Sequence, residues 1–418
     1  MSFLIVGLLV VLVGGCAGEG EPQEPREGLV PDTALVVTDD PELAAMAREL
    51  LPDLARRAGL ELRKPVRLAR RSRADLERYL EAKLDDELSP EEARWMTESY
   101  ALLGLIPDTL GLRRLLLDVY TEQVAGFYDP DSTALFILED QSAEDVRTVL
   151  VHELVHAVQD QTTDLDSLTA RERGNDRQMA AQAAIEGHAT LVMLEYLTEL
   201  ARGSPVDLSD IPDFSGRIRP LLEGLGDQYP ALAGAPEVVR ESLLFPYLEG
   251  AGFVQALWRR EEGRPPPFGD FLPRSTEHVL RPQGLLGEPM DTPVDLELSV
   301  EEGAEVRSVY QDGLGEVEVR ILLRVVAGRE PPPTGLGWGG DRFALLEEAG
   351  GEKSLAWYTL WDDDEARDTF LEALEGSLEA FPVPATLESV RVGGHPGAAL
   401  RLGGAPALDV AVRNGGSE

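Results

Sequence analysis

The sequence predicts an α+β fold in two parts, a helix-rich domain carrying a small edge β-sheet and a smaller C-terminal α+β domain. Three observations predict it. Apolar residues recur at helical spacing over much of residues 41–201. Residues 124–138 switch to β-rich patterning on both sides of a turn. Beyond a Pro-rich stretch at 287–293, strands and a helix alternate afresh. The length of 418 residues agrees, because single cores rarely grow past roughly 250–300 residues.

From the N-terminus, Phe3 to Val13 is an apolar run too short to span a bilayer, which takes about 20 residues, but suited to the core of a secretory signal. It ends in Leu12-Val13-Gly14-Gly15-Cys16. Residues 17–32 are rich in Gly, Glu and Pro and read as a flexible tether. The predicted catalytic domain spans 33–294. It starts with a short strand at Thr33–Thr38, a helix at Pro41–Arg57 built on Leu43, Met46, Leu50, Leu51 and Leu54, and a strand at Pro65–Ala69. Helices are expected at Arg73–Leu84, Pro90–Leu103 and Thr109–Glu122. Val124–Tyr128 and Ala134–Leu138 flank Asp129-Pro130-Asp131-Ser132 as a hairpin. Ser142 is a candidate N-cap for a helix reaching about Asp160, and Asn175 or Asp176 opens a long helix to Ala201. Pro246 precedes a further helix, Tyr247–Glu261.

The C-terminal domain is expected over 295–418, with strands at Arg342–Glu347, Ser354–Trp361, Val390–Val392, Ala398–Leu402 and Leu408–Val412 and a helix at Asp364–Phe381. Trp357 and Trp361 lie four apart on one strand face and read as core. Asp362-Asp363-Asp364-Glu365 lacks the glycine and spacing of a calcium loop and reads as an acidic helix N-terminus.

Charge narrows the partners. The 76 acidic and 38 basic residues give a formal net charge of −38, which repels nucleic acid and anionic lipid headgroups. Cys16 is the one cysteine, so neither an intramolecular disulfide nor a cysteine-based zinc site can form.

Chemistry is concentrated in Thr148–Val158, TVLVHELVHAV, where His152-Glu153-Leu154-Val155-His156 fits HExxH. Residues four apart share a helix face, so both imidazoles can reach one ion. Glu153 stands about 100° around the helix from His152 and can approach a water molecule at that ion. The chain has five histidines, and two of them hold this spacing among uncharged neighbours. A catalytic zinc takes three protein ligands. Glu186, in AIEGHAT on the next long helix, is the favoured third ligand, because an unpaired carboxylate among Ala183, Ala184 and Ile185 would be costly. His188 is the alternative; only one of the two can face the ion, since they stand about 200° apart. Pairing with an arginine is the structural alternative for Glu186. Asp160 is read as orienting His156, or as an exposed acid at the helix end.

HELVH followed by EGHAT resembles the gluzincin type of zincin, in which two histidines and a downstream glutamate bind zinc. More narrowly, VAGFYDP, VHELVHAVQDQ, AIEGHAT, FPYLEGAGFV, RSTEHVLRP and GWGGDRFAL, in this order over residues 60–375, are similar to a family of largely uncharacterised bacterial and archaeal metallopeptidases, many of them exported. The resemblance implies a zincin fold and a Zn2+ cofactor, with Ala134–Leu138 as the edge strand along which an extended peptide lies. It also implies an oxyanion donor downstream of the third ligand, for which Tyr247 and His278 are equal candidates and Tyr128 an outsider. No GxMEN block precedes the HExxH helix, which favours an endopeptidase over an aminopeptidase, and no GxxH continues HExxH, which excludes metzincins.

The segment ending at Cys16 likewise resembles a bacterial lipobox, implying lipidation of Cys16 and membrane attachment outside the cytoplasm, although no Lys or Arg precedes the apolar run. The expectation is a zinc-dependent peptidase acting on a peptide or protein substrate, with Glu153 as general base. The alternatives are a catalytically silent, metal-stabilised scaffold lipoprotein of the cell envelope and an enzyme cleaving a non-peptide amide.

Overall fold

Helix starts follow the capping residues. In the computed structural model, which describes residues 5–6, 35–209, 211, 214–223, 229–301 and 304–413, the Asp40 side chain accepts from the Glu42 and Leu43 amides and opens α1 (Pro41–Arg57). Ser72 and Ser89 form capping boxes with Asp75 and Glu92 at the starts of α2 (Arg73–Glu87) and α3 (Pro90–Leu102). No side chain caps α4 (Leu112–Gln123), which begins after Gly111, three residues later than expected. Ser142 accepts from the Asp145 amide and starts α5 (Ala143–Gln159), the helix that carries HExxH.

The first sheet contains β1 (Ile5–Val6), β2 (Val36–Val37), β3 (Val66–Arg71), β4 (Gly126–Asp129) and β5 (Ala134–Leu138), in the order β1-β4-β5-β3-β2. The hairpin is present, with Phe127 opposite Phe136. Its second strand is not an edge. β5 pairs with β4 on one side and, in parallel, with β3 on the other, and all five of its residues are buried. The edge expected at Ala134–Leu138 is therefore interior, and β4 in turn pairs on its other side with β1 at Gly126 and Phe127, so among the described residues the outer strands of this sheet are β1 and β2. Cys16, the rest of the export signal and the tether lie outside the described residues.

After α6 (Leu165–Leu168) the long α7 (Asn175–Arg202) crosses α5, and α8 (Phe214–Glu223) and α9 (Pro230–Ala233) lead into α10 (Glu237–Arg260). The last helix starts ten residues before the expected Tyr247, because Pro246 lies inside it instead of in front of it. Proline removes one amide donor and crowds the preceding turn. Burial of Pro246 among Leu244, Phe245 and Leu248 holds the helix together through that point. Two short helices follow, α11 (Thr276–Leu280) and α12 (Pro282–Leu286).

The C-terminal part is β-rich. Strands β7 (Val306–Asp312), β8 (Trp338–Glu348), β9 (Lys353–Trp361), β10 (Ala385–Val392) and β11 (His395–Leu402) form an antiparallel sheet in the order β10-β11-β9-β8-β7, and β6 (Leu296–Ser299) pairs with β12 (Asp409–Val412). One face is covered by α14 (Asp364–Glu375), whose Phe370 packs on Trp357 and Trp361 at ring distances of 5.8 and 4.5 Å. The expected helix to Phe381 stops at Glu375. Helix α13 (Gly315–Val325) packs against α10 and α11. One apolar core consequently runs from the N-terminal helices through α10 into α13, Phe343 and Trp357, continuous across residue 295. A second cluster, with Leu296, Leu298, Tyr358 and Leu360, fills the opposite face of the sheet.

Candidate metal centre

Two glycines set the position of the site. A Cβ on Gly187 of α7 would overlap the backbone of Gly250 on α10, and a Cβ on Gly250 would overlap Ala183. Only glycine lets the two helix backbones touch there. Glu186 precedes the first of these glycines by one residue, and Tyr247 precedes the second by about one turn, so the crossing brings the carboxylate and the phenol together. On the other side of α5, a Cβ on Gly126 would come within 2.5 Å of Val149 Cγ1 and 2.9 Å of the Phe136 carbonyl, so β4 lies tight against the HExxH helix.

At this crossing three side-chain atoms converge. His152 Nε2 and His156 Nε2 are 2.8 Å apart, and Glu186 Oε2 is 3.1 Å from the first and 3.3 Å from the second. A tetrahedral ion with bonds of about 2.0–2.1 Å holds its ligand atoms about 3.3 Å apart, so this spacing suits one ion shared by all three groups. Burial strengthens the argument. His152, Glu153 and His156 are 0% exposed and Glu186 is 2% exposed. Glu186 Oε1, both carboxylate oxygens of Glu153 and His152 Nδ1 have no hydrogen-bond partner. Each orphaned buried polar atom costs about 1–3 kcal/mol, a cost that an ion and its water would relieve. Two imidazoles and a carboxylate are a donor set that zinc accepts.

The electrostatics distribute the protons unequally. Burial, reinforced by the charge on His156 and only partly opposed by Glu186, lowers His152 to about 4. Burial also acts to lower His156, but the adjacent Glu186 carboxylate outweighs it and holds that imidazole up at about 9. Burial would raise Glu186, yet the two histidines keep it below the usual carboxylate range. Glu153 is pushed up to about 8 by burial, which the charge on nearby His156 only partly offsets.

Gln159, which sequence reading did not single out, orients the second ligand. Its Nε2 donates to the Ile185 carbonyl at 3.0 Å, so the amide is fixed with Oε1 facing His156. His156 Nδ1 then donates to Oε1 at 2.8 Å and leaves the Nε2 lone pair free to bind an ion. Asp160, expected in that role, forms the C-cap of α5 and accepts from Tyr128 Oη at 2.7 Å. Tyr128 is thereby committed away from the site. His188 is not a ligand either: Gln159 Nε2 donates to its Nδ1 at 3.1 Å, and its ring packs edge-on against Trp258 and Phe268.

The two oxyanion candidates separate. Tyr247 lies beside the centre, its ring 6.4 Å from that of His152 and its hydroxyl hydrogen-bonded to the Glu186 carboxylate. Burial and the Glu186 and Glu153 carboxylates raise its ionisation well above the ordinary tyrosine value, so the hydroxyl keeps its proton and stays a donor. His278 is buried elsewhere, with Nδ1 accepting from the Arg274 amide at 3.2 Å and Nε2 donating to the Asp291 carbonyl at 2.7 Å. Both ring nitrogens are used by the backbone, and His278 is corrected from candidate donor to structural residue.

A cavity of about 110 Å³ opens beside the centre, lined by Glu186 and Tyr247 and also by Tyr100 and Glu318. Its walls are mostly apolar, with Leu112, Leu116, Met179 and Leu243 among them. Glu318 belongs to α13, so the C-terminal part contributes to this wall.

Among the described residues no helix is long and apolar enough to cross a membrane. A family model described as a domain of unknown function (DUF8575) matches residues 304–409, the β-rich part with α13 and α14. No curated protein and no solved structure matches the chain.

Proposed function

We propose that the chain is a zinc-dependent peptidase of the gluzincin type with a zincin-like catalytic domain, and that it cleaves internal peptide bonds. The observation that carries this reading is the convergence of His152, His156 and Glu186 within 3.3 Å beside an unpartnered, fully buried Glu153. Zinc bound there supplies Lewis acidity for the water and for the scissile carbonyl. The protein does the rest. Glu153, one residue beyond His152, would take the proton from the attacking water and later pass it to the leaving amine; burial raises its carboxyl in the metal-free site, and a bound cation would draw it back toward the ionised form that accepts a proton. Tyr247 donates its retained proton in a hydrogen bond to the oxygen that gains charge.

We also propose that Cys16 is lipidated and tethers the chain to a membrane outside the cytoplasm. The support is the small-residue approach to that cysteine after an apolar run. A Cys16→Ser variant should leave the membrane fraction; one that stays membrane-bound would remove the anchor.

The activity is tested with zinc-loaded protein on denatured proteins and internally quenched peptides. Glu153→Gln should lower turnover by at least ~100-fold while still holding one zinc. Cleavage unaffected by that change would overturn the mechanism. Stoichiometric zinc with no turnover on any substrate would favour the silent scaffold instead.

A further inference from the structure

The cavity beside the zinc centre carries one acid that the peptidase chemistry leaves unused. Glu318, on α13, lines it and is 2% exposed. Its side chain accepts from Tyr100 Oη at 2.7 Å and is hydrogen-bonded to Asn175, both of them neutral groups. Among the described residues Glu318 forms no ion pair, and no lysine or arginine lines the cavity. Burial, joined by the charges on Asp312 and Asp341, pushes its carboxyl up to about 8 against those two hydrogen bonds. A cation entering the cavity would restore the ionised form and gain a counter-charge that no side chain of the lining provides.

The other walls suit an aliphatic stem. Leu112 and Leu116 of α4, Met179 of α7, and Val239 and Leu243 of α10 present carbon to the space. An apolar cavity of about 150 Å³ takes one benzene ring, so about 110 Å³ takes a chain of roughly five heavy atoms. Four methylenes and an amine make a lysine side chain, which buries its stem and carries its charge at the tip. Two polar atoms of lining residues, Gln123 Nε2 and Ser242 Oγ, are buried without a hydrogen-bond partner, as groups are where a ligand completes a site. The whole chain favours the same ligand, because 76 acidic against 38 basic residues draw cationic segments toward it.

We propose that this cavity is a specificity pocket for a lysine side chain of the substrate, with Glu318 pairing with the ammonium group. The inference rests on the peptidase reading and names the substrate class, a lysine-containing peptide. It also gives the C-terminal part a share in substrate choice, since Glu318 lies within residues 304–409, the span matched by the domain of unknown function. Helix geometry sets the register. Asn175, which hydrogen-bonds Glu318, lies about three turns before Glu186 on α7, or about 16 Å of helix rise. A lysine side chain reaches about 6 Å and an extended chain advances about 3.3 Å per residue, which places the lysine about three residues from the cleaved bond.

The test uses zinc-loaded Glu153→Gln protein, which holds a peptide without cleaving it, and fluorescent peptides that differ in a single residue. In high salt, which screens the exposed acids, a lysine peptide should bind at least ~10-fold more tightly than its norleucine counterpart, which has the same stem without the charge. Adding Glu318→Gln should abolish that difference, and kcat/KM of the zinc-loaded wild type should show the same lysine preference. Equal binding of the lysine and norleucine peptides would overturn the proposal with no variant of Glu318 required. A lysine preference that survives Glu318→Gln would also overturn it, marking attraction to the acidic surface only. Glu318-dependent lysine binding with no cleavage by the wild type would remove the peptidase reading and uphold the pocket.

Discussion

Replacing Gln159 with alanine removes a side chain that joins α5 to α7 through His156, the Ile185 carbonyl and His188. Two buried groups lose their partner, His156 Nδ1 and His188 Nδ1, and the Ile185 carbonyl keeps only its helical bond. At about 1–3 kcal/mol for each orphaned buried group, the metal-free protein should lose at least ~2 kcal/mol of stability. Zinc affinity should fall separately, because nothing then fixes the His156 ring with Nε2 toward the ion. Loss of such an orienting partner costs about 10–100-fold in affinity, equivalent to about 1.4–2.7 kcal/mol. The assay is a zinc titration against a competing chromophoric chelator, carried out under conditions where circular dichroism shows the variant folded. Gln159→Glu keeps an acceptor for His156 and should lie closer to wild type in zinc affinity than alanine does, although its carboxylate faces the Ile185 carbonyl. Destabilised Gln159→Ala protein with wild-type zinc affinity would refute the orienting role and reduce Gln159 to packing.

Four further outcomes follow from the same geometry. Tyr247→Phe should lower kcat by roughly 10²-fold with little change in KM or zinc content, whereas His278→Phe should act on stability; steady-state kinetics and melting on both variants separate the two. Gly187→Ala forces a methyl group into the Gly250 backbone and should cost at least ~1–3 kcal/mol in denaturant unfolding, with zinc affinity falling alongside as Glu186 shifts. Glu318 is buried against Tyr100, and its carboxyl is raised by burial to about 8. A folded-state value above the unfolded one stabilises fully below about 4.5 and is lost as pH rises through about 8, so metal-free protein should lose stability over that interval, by up to ~1.4 kcal/mol per unit of separation, and Glu318→Gln should flatten the profile. Zinc affinity should fall as pH drops, because protons compete for His156, held at about 9 without metal, and an affinity unchanged from pH 7.5 to 5 would exclude ligation by that histidine.

What could be read from the sequence is what local periodicity governs. His152, Glu153 and His156 follow from one helical turn, and Glu186 was identifiable as a carboxylate stranded among alanines and an isoleucine. Gln159 was not, because its role depends on the Ile185 carbonyl of another helix; the available signal was a polar residue three positions after His156 in an otherwise apolar helix. The interior position of β5 was also open to inference. Its five consecutive apolar residues, ALFIL, indicate a strand buried on both faces, and the parallel pairing with β3 that makes it central is a long-range crossover. Pro246 misled because proline is read as a boundary, whereas here burial sustains the helix on both sides. Helix α13 was missed because its β-branched run, VEVRILLRV, carries no clear helix signal apart from its 3.6-residue period. His278 was assigned by its place after the third ligand, and only three-dimensional packing shows both nitrogens spent on the backbone.

The central claim is that one metal ion is held jointly by α5 and α7. Its most direct test is zinc titration of chelator-stripped protein followed by isothermal calorimetry, with His152→Ala, His156→Ala and Glu186→Ala in parallel. Wild type should take up one tightly bound zinc per chain, and each substitution should weaken it by at least ~100-fold without unfolding the metal-free chain. Absence of a stoichiometric site in wild type, or uptake unchanged in Glu186→Ala, would contradict the account.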